Sequence, residues 1–143
     1  MLLTEAVHAA AHRSVLCWLA TVDAQGQPNV SPKEVWAVVD EKHVVVGNIA
    51  SPVTARNIAG QPQVCLSFID VFVQKGYKLQ GVAREVLAQD RDYSVWAAPL
   101  LAMTGTRFPL RSVLLIEVVS VQPIVALSYL FYPEETTDHT NRC

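Results

Sequence analysis

The chain has 143 residues, of which 51% are apolar and 17% are charged, and its formal net charge is −2. A chain of this length fits one domain, residues 1–143, whose core needs no disulfide or metal to be stable. No run of Lys or Arg forms the basic surface that nucleic acids require, and no apolar stretch approaches the roughly 20 residues that cross a bilayer, so we expect neither nucleic-acid nor membrane partners.

The balance of residue types also bears on assembly and location. Charged residues are fewer than the roughly 25% of an average domain, which favours a homodimer that covers apolar surface. The three cysteines, Cys17, Cys65 and Cys143, lack C-x-x-C spacing, and the N-terminal residues show no secretory signal. We therefore expect a cytoplasmic protein in which Cys17 and Cys65 are ordinary buried thiols.

The first half of the chain predicts one helix and a series of strands. A short amphipathic helix is expected over residues 4–12, with Thr4 as its cap. Six stretches rich in apolar and β-branched residues predict strands along the whole chain. These strands span residues 14–22, 29–39, 43–48, 63–70, 77–87 and 111–121. Turn residues at 23–26 and 40–42 join the first three strands as antiparallel hairpins.

A second helix, inserted between two strands, carries the clearest functional signal. Ser51 is a good N-cap, Pro52 suits the first helical position, and Gly60 ends the helix. The first turn leaves the N–H groups of residues 53–55 without helical partners, and the helix dipole places partial positive charge there. The sequence therefore predicts that this end of the helix faces an anion such as a phosphate.

The second half of the chain adds a loop, a bulge and a third helix. Residues 75–76 are expected to lie in a loop, and Gly81 in the following strand is expected to permit a bulge or a close backbone approach. A helix is predicted over residues 90–103, with Asp90 or Asp92 as its cap and Trp96 on its apolar face.

The order of these elements indicates the fold class. Six strands with one short helix inserted and another before the last strand favour a small, mostly antiparallel barrel of α+β character. The barrel is expected to occupy about residues 13–122, and the tail from 123 to 143 is expected to be irregular and exposed.

An ordered series of short motifs runs through the chain. It consists of Leu19-Ala20-Thr21-Val22-Asp23, Gly26-x-Pro28-Asn29-Val30-Ser31-Pro32-Lys33-Glu34, Asn48-Ile49-Ala50-Ser51-Pro52 with Arg56-Asn57-Ile58, and Val73-Gln74-Lys75-Gly76-Tyr77 with Gly81-x-Ala83. The series resembles the pyridoxamine 5′-phosphate oxidase-like family of FMN-binding split β-barrels over roughly residues 13–132. The resemblance implies a mostly β (α+β) fold, namely a six-stranded antiparallel split β-barrel with short flanking helices.

The resemblance also implies a homodimer with two FMN molecules in grooves at its interface, each contacted by both subunits. The FMN phosphate would lie at the start of the helix that Ser51 begins. The implied cofactor-binding residues are Ser31, Pro32, Lys33, Glu34 and Val35 beneath the isoalloxazine, Asn48 at the groove, Ser51, Val53, Thr54, Arg56 and Asn57 at or near the phosphate end of the helix, and Trp96 against the flavin.

Two residues are candidates for the positive charge that would compensate the phosphate, and the sequence leaves the choice between them open. Many members of the family carry Lys or Arg in the first turn of this helix, whereas the first cation here is Arg56. Lys33 on the neighbouring strand is the other candidate, and helical phase alone does not decide between them.

For function, the resemblance implies an FMN-dependent oxidoreductase that takes hydride from a reduced nicotinamide or passes electrons to a small acceptor. Because the flavin carries the redox chemistry, no catalytic side chain is predicted. The alternatives are a flavin-binding or sensing module without turnover, and a relative that binds the deazaflavin F420 or haem. Oxidation of pyridoxamine phosphate itself is disfavoured, since the expected C-terminal Arg-x-His element is missing and His139 follows Thr137 and Asp138.

The remaining histidines suggest no other chemistry. His8 and His12 have the i, i+4 spacing that can present two imidazoles to a metal, but no third ligand is evident nearby, so we expect no metal site. His43 and His139 form no recognisable triad with Ser or Asp, and hydrolysis is therefore not expected.

Overall fold

The computed structural model describes residues 2–105 and 107–138, so the predictions made for His139 and Cys143 lie outside the described residues. Within these ranges the chain forms seven strands and four helices. Their bounds are α1 Glu5–Arg13, β1 Cys17–Val22, β2 Pro28–Lys33, β3 Trp36–Val38, β4 His43–Asn48, α2 Pro52–Gly60, β5 Gln63–Asp70, β6 Lys75–Leu87, α3 Tyr93–Thr104, β7 Ser112–Val125 and α4 Leu127–Phe131. None of these helices in the described part of the chain has the length and apolar character needed to span a membrane.

All the described strands form one antiparallel sheet in the order β2-β1-β5-β6-β7-β4-β3. β2 and β3 follow each other in the chain yet lie at opposite edges of the sheet. The short bend at Glu34 and Val35 joins the two edges, and the Gly47 N–H donates to the Val35 carbonyl at 2.8 Å. The sheet is therefore curled into a split barrel, which confirms the predicted fold class.

The predicted number of six strands was wrong by one, because the expected strand over residues 29–39 is divided into β2 and β3. At its end, β2 pairs Lys33 with Cys17 of β1, whereas β3 pairs Trp36 with Val46 of β4. The chain thus changes partner strand between Lys33 and Trp36. Local residue preference is extended on both sides, so the tertiary pairing alone determines the break.

At two glycines in β6, Gly76 and Gly81, the backbone of a neighbouring strand comes too close for a side chain. The prediction of a loop at residues 75–76 was wrong, since β6 begins at Lys75 and Gly76 lies opposite Ile69, where a Cβ would collide with the Phe68 carbonyl oxygen. The predicted bulge at Gly81 is confirmed by a register shift between Gln80 and Gly81.

The C-terminal region is more regular than predicted. Residues from 122 were expected to be irregular, but β7 continues to Val125, which pairs with Lys75 at the start of β6, and α4 follows. The Tyr129 hydroxyl donates to the Val73 carbonyl at 2.9 Å and ties α4 to the β5–β6 turn. Long-range pairing with β6 therefore orders a segment whose own sequence carries little strand pattern.

The apolar residues form two clusters on the two faces of the sheet. The barrel interior is closed at one side by α1, whose predicted cap Thr4 accepts the Val7 N–H at 3.4 Å. The second cluster lies beneath α3, where Leu100 packs over Val45 and Leu115. Because β4 and β7 are covered on both faces, they form a rigid base from which the chain leaves to begin α2.

Candidate functional site

A polar cluster, formed by the side chains of Ser31, Lys33, Ser51 and Thr54, lies between β2 and the first turn of α2. Side chains of β2 alternate between two faces, and Ser31 and Lys33 share the face that turns toward the helix. The Ser31 and Thr54 hydroxyl oxygens are 3.5 Å apart. Lys33 Nζ donates to Ser51 Oγ at 2.5 Å and to Thr54 Oγ1 at 3.4 Å. The fold therefore gathers one ammonium and several hydroxyls where α2 begins.

Lys33 is a buried cation without a carboxylate partner. Its side chain is only 7% exposed, and no carboxylate of the described residues forms an ion pair with it. Burial lowers the pKa of its ammonium below the usual value of 10.5. The residue opposite in β1 is Cys17, and burial raises the pKa of that thiol to about 12, so Cys17 is neutral and does not compensate the charge.

The first turn of α2 adds backbone donors to the same place. Ser51 occupies the cap position, but its side chain makes no capping bond and accepts from Lys33 instead. The N–H groups of Val53 and Thr54 have no hydrogen-bond partner among the described residues. The prediction of a third free N–H, at Ala55, was wrong, because Ala55 donates to the Ser51 carbonyl at 3.1 Å and closes the first helical bond.

These groups together form an anion site in physical terms. One ammonium, three hydroxyls and two free N–H groups lie at or beside the positive end of a helix dipole, and each of them is a donor from which a phosphate can accept a hydrogen bond. The structure brings together the predicted residues Ser31, Lys33, Ser51, Val53 and Thr54 at this point.

Arg56 lies elsewhere. Its side chain is exposed and lines an open groove of about 330 Å³ between α2 and the β1–β2 turn, together with Asn29 and Asn57. Asn57 is itself buried and donates from Nδ2 to the Thr21 hydroxyl at 3.0 Å, which ties the helix to β1. The structure thus places Lys33, and not Arg56, beside Ser51 and Thr54.

Asn48 connects the site to the sheet. Its side chain is 7% exposed, and its Oδ1 accepts the Ser51 N–H at 3.2 Å. Its Nδ2 donates to Ser112 Oγ at 2.9 Å and to Glu85 Oε2 at 3.2 Å. Sequence reasoning missed Glu85 and Ser112, since they are 27 positions apart in the chain and only the pairing of β6 with β7 brings them together.

The other residues predicted to lie beneath the isoalloxazine are next to the polar cluster in sequence, with Pro32 on β2 and with Glu34 and Val35 in the bend that follows it. Pro32 and Glu34 are exposed and Val35 is half-buried. β2 is an edge strand, so along its outer side the backbone groups have no strand partner and can pair with the polar edge of a ligand. Contact of these residues with an isoalloxazine stays a prediction.

Trp96 lies away from the polar cluster. Its indole N–H donates to Asp92 at 3.1 Å, and its ring packs against His43 at 4.9 Å between centroids. His43 and Asn48 lie at opposite ends of β4, a separation of roughly 17 Å at the usual rise of a strand. Contact of Trp96 with the cofactor stays a prediction and is not supported by its position in this chain.

No metal centre accompanies the site in the described ranges, where no group of three or more His, Cys, Asp or Glu side chains is arranged to hold an ion. The predicted pair His8 and His12 lies on α1, and His8 Nε2 is 3.1 Å from the Asp40 carbonyl oxygen.

Comparison with known proteins gives a family match over most of the chain. The family model described as pyridoxamine 5′-phosphate oxidase matches residues 3–124. The haem oxygenase HutZ of Vibrio cholerae is 35% identical over 97 residues, which cover 63% of this chain and 52% of HutZ. The chain therefore spans about half the length of the curated relative that it matches.

Solved structures show the same fold. An FMN-binding protein of Syntrophomonas wolfei superposes with a TM-score of 0.69 at 16% identity, covering 87% of this chain and 88% of that protein. An F420 reductase superposes with a TM-score of 0.63 at 19% identity, covering 83% of this chain and 98% of the reductase. Proteins named for three different cofactors thus resemble this chain in sequence or in fold.

Proposed function

The chain belongs to the pyridoxamine 5′-phosphate oxidase family, and from that premise we propose that it is an FMN-binding oxidoreductase whose anion site holds the FMN phosphate. The observation that carries the proposal is the buried ammonium of Lys33, which has no carboxylate partner among the described residues and donates to the Ser51 and Thr54 hydroxyls at the start of α2.

The charge balance of the site supports an anionic ligand. Burying a cation costs free energy unless a counter-charge and hydrogen bonds compensate it. At this point the protein adds the positive end of a helix dipole to Lys33 instead of a carboxylate. A phosphate dianion would supply the missing negative charge, and each charge-assisted hydrogen bond contributes about 1.5–3 kcal/mol.

In this proposal, two regions of the protein contact different parts of FMN. Lys33, Ser51 and Thr54 would hold the phosphate, and the edge strand β2 would lie along the ring system. A bound flavin supplies the redox chemistry, so the protein needs only to orient it and to limit access of water. This division agrees with the lack of a predicted catalytic side chain.

We also propose that the protein is a homodimer. Four large apolar side chains share the outer face of the sheet, and we call them the outer apolar patch. They are Trp18, Val30, Val82 and Val119, which are 45, 58, 45 and 61% exposed. The half-buried Cys65 lies on the same face. A second copy would cover this patch and complete the groove at the edge strand β2.

The cytoplasm is the proposed location. Cys17 and Cys65, the two cysteines in the described part of the chain, are free thiols, which agrees with a reducing compartment.

The first experiment identifies the cofactor by spectroscopy. The purified chain is titrated separately with FMN, riboflavin, F420 and haemin, and binding is followed by absorption and by flavin fluorescence. We expect FMN to bind at least tenfold more tightly than riboflavin, because the phosphate contacts are lost in riboflavin. Equal affinity for FMN and riboflavin, with no binding of F420, would contradict a phosphate site at α2.

Haem is the second candidate, because the relative HutZ is named as a haem oxygenase. A Soret band that grows to one haem per chain, together with weak FMN binding, would favour it.

If FMN binds, anaerobic addition of reduced nicotinamide distinguishes an enzyme from a sensing module. Bleaching of the flavin band supports the reductase, and an unchanged band contradicts hydride transfer from that donor.

A further inference from the structure

We propose that Glu85 and Ser112 are positioning residues that act through Asn48 to hold the phosphate-binding end of α2 in its open arrangement. This inference rests on the proposed function and deepens it, because it names the residues that prepare the site without contacting the ligand. The three side chains come from β4, β6 and β7, which are neighbours in the sheet.

Ser51, Asn48, Ser112 and Glu85 form a connected set of hydrogen bonds in which the Glu85 carboxylate is the final acceptor. Ser51 donates its N–H to Asn48 Oδ1, and Asn48 donates from Nδ2 to Glu85 and Ser112. A serine hydroxyl has a single proton, and Ser112 donates its proton to Glu85 Oε2 at 2.5 Å. Its oxygen is therefore an acceptor for Asn48. Each donor has an acceptor, and the chain of bonds from Ser51 ends at the Glu85 carboxylate.

This order fixes which way the Asn48 amide points. An asparagine amide can turn over and exchange its oxygen and nitrogen with little change in shape. Two acceptors on the β6–β7 side, Glu85 and Ser112, hold the nitrogen there, so the oxygen faces the Ser51 N–H. A reversed amide would set two donors against each other and would release Ser51.

The position of Ser51 in turn determines which donors of α2 stay free. A serine at an N-cap ordinarily turns its hydroxyl back to accept an N–H of the first helical turn. Here the backbone of Ser51 is held by Asn48, and its hydroxyl accepts from Lys33 instead. The N–H groups of Val53 and Thr54 therefore have no partner among the described residues. The hydrogen bonds from Glu85 and Ser112 through Asn48 to Ser51 thus leave the Val53 and Thr54 N–H groups free to bind a phosphate.

The test compares FMN with riboflavin, since their difference isolates the phosphate. Glu85→Ala should lower the ratio of riboflavin Kd to FMN Kd by five- to tenfold and leave the Kd of riboflavin unchanged. Glu85→Gln should restore the ratio to within twofold of the wild type, because the glutamine oxygen can accept from Asn48 and Ser112. Glu117→Ala removes an exposed carboxylate from β7 and serves as the matched control, with no change expected.

A second variant guards against loss of folding. Ser112→Ala leaves Asn48 bonded to Glu85 and should lower the ratio about two- to threefold. Thermal unfolding followed by circular dichroism checks that each variant is folded. An unchanged ratio in folded Glu85→Ala, or equal weakening of FMN and riboflavin, would overturn the inference while leaving the proposed function intact. A wild-type protein that binds both flavins alike would overturn the proposed function and this inference with it.

Discussion

At the scale of single residues, Lys33 is the point where burial and charge oppose each other most strongly. The fold buries its ammonium beside two hydroxyl acceptors, and no carboxylate of the described residues forms an ion pair with it. Such an arrangement lowers the stability of the ligand-free chain and raises its affinity for an anion. The cost in stability and the gain in binding are therefore two measurable properties of one side chain.

Lys33→Met separates these two properties. We expect the Kd of FMN to rise about tenfold to a hundredfold, because a charge-assisted hydrogen bond of about 1.5–3 kcal/mol is lost. The melting temperature of the ligand-free protein should stay the same or rise, since a buried charge is replaced by an apolar chain of similar length. Arg56→Met is the matched control and should change the Kd less than threefold. A larger effect at Arg56 than at Lys33 would refute this assignment.

The pH dependence of binding provides an independent measure of Lys33. Burial lowers its pKa in the folded protein below 10.5, so the unfolded chain holds this proton more tightly. The contribution of Lys33 to the free energy of unfolding, taken as the wild-type value minus that of Lys33→Met, should therefore rise with pH between the lowered pKa and 10.5. The raised pKa of Cys17 makes stability fall with pH above 9.0, but this thiol is present in both proteins and its effect cancels in the difference. Affinity for FMN should fall over the same window as the ammonium becomes neutral. Titrations of the wild type and of Lys33→Met from neutral to alkaline pH should show both trends as differences between the two proteins.

At the scale of elements, the site depends on how α2 is placed against β2. Ser51 and Thr54 are three positions apart and lie on one side of the helix, while Ser31 and Lys33 are two positions apart and share one face of the strand. The residue spacings of the helix and of the strand together bring these four polar side chains into one cluster. The rest of each element packs into the apolar clusters and holds this alignment.

Ser51→Asp tests the placement of α2. Aspartate is a competent N-cap, so the helix should remain. Its carboxylate would lie beside Lys33, neutralise the ammonium and repel the phosphate, and FMN affinity should fall at least tenfold. Ser94→Asp adds the same charge to the first turn of α3 and should leave the affinity unchanged. Unchanged affinity in folded Ser51→Asp would remove the start of α2 from the binding site.

At the scale of the whole molecule, the curled sheet leaves its outer face partly uncovered. α3 covers β4 and β7 near one edge, whereas the outer apolar patch of Trp18, Val30, Val82 and Val119 is exposed. A two-fold interface over this patch would place each edge strand β2 near the partner, which would enlarge the groove beside the anion site.

Val119→Lys tests the proposed dimer. Because a two-fold interface contains the same residue twice, two ammonium groups would be buried in it without counter-charges, and we expect the variant to be a monomer in sedimentation equilibrium. FMN affinity should fall at the same time. Val95→Lys alters a valine on α3 with similar exposure, 65%, and should leave the assembly unchanged. A monomeric wild type would contradict the proposal directly.

Much of the local structure could be predicted from local patterns. The cap at Thr4, the strands over 43–48 and 63–70, the helix begun by Pro52 and the bulge at Gly81 depend on residues close in sequence, and the structure confirms each of them. The division between β2 and β3 and the ordered end of β7 depend on distant partner strands. For that reason neither could be seen in the residues themselves.

By itself, the sequence determined most of the strands and a helix start suited to an anion, because capping, turn and strand preferences act over a few residues. The split-barrel family followed from the resemblance carried by the ordered motifs, and not from those local preferences. Only the tertiary structure decided that Lys33 and not Arg56 lies beside Ser51, that Trp96 lies at the far end of β4, and that Glu85 and Ser112 support Asn48. These facts depend on which side chains the curled sheet brings together from distant strands. The residue pattern of a single strand or helix does not show which side chains of other elements it will contact.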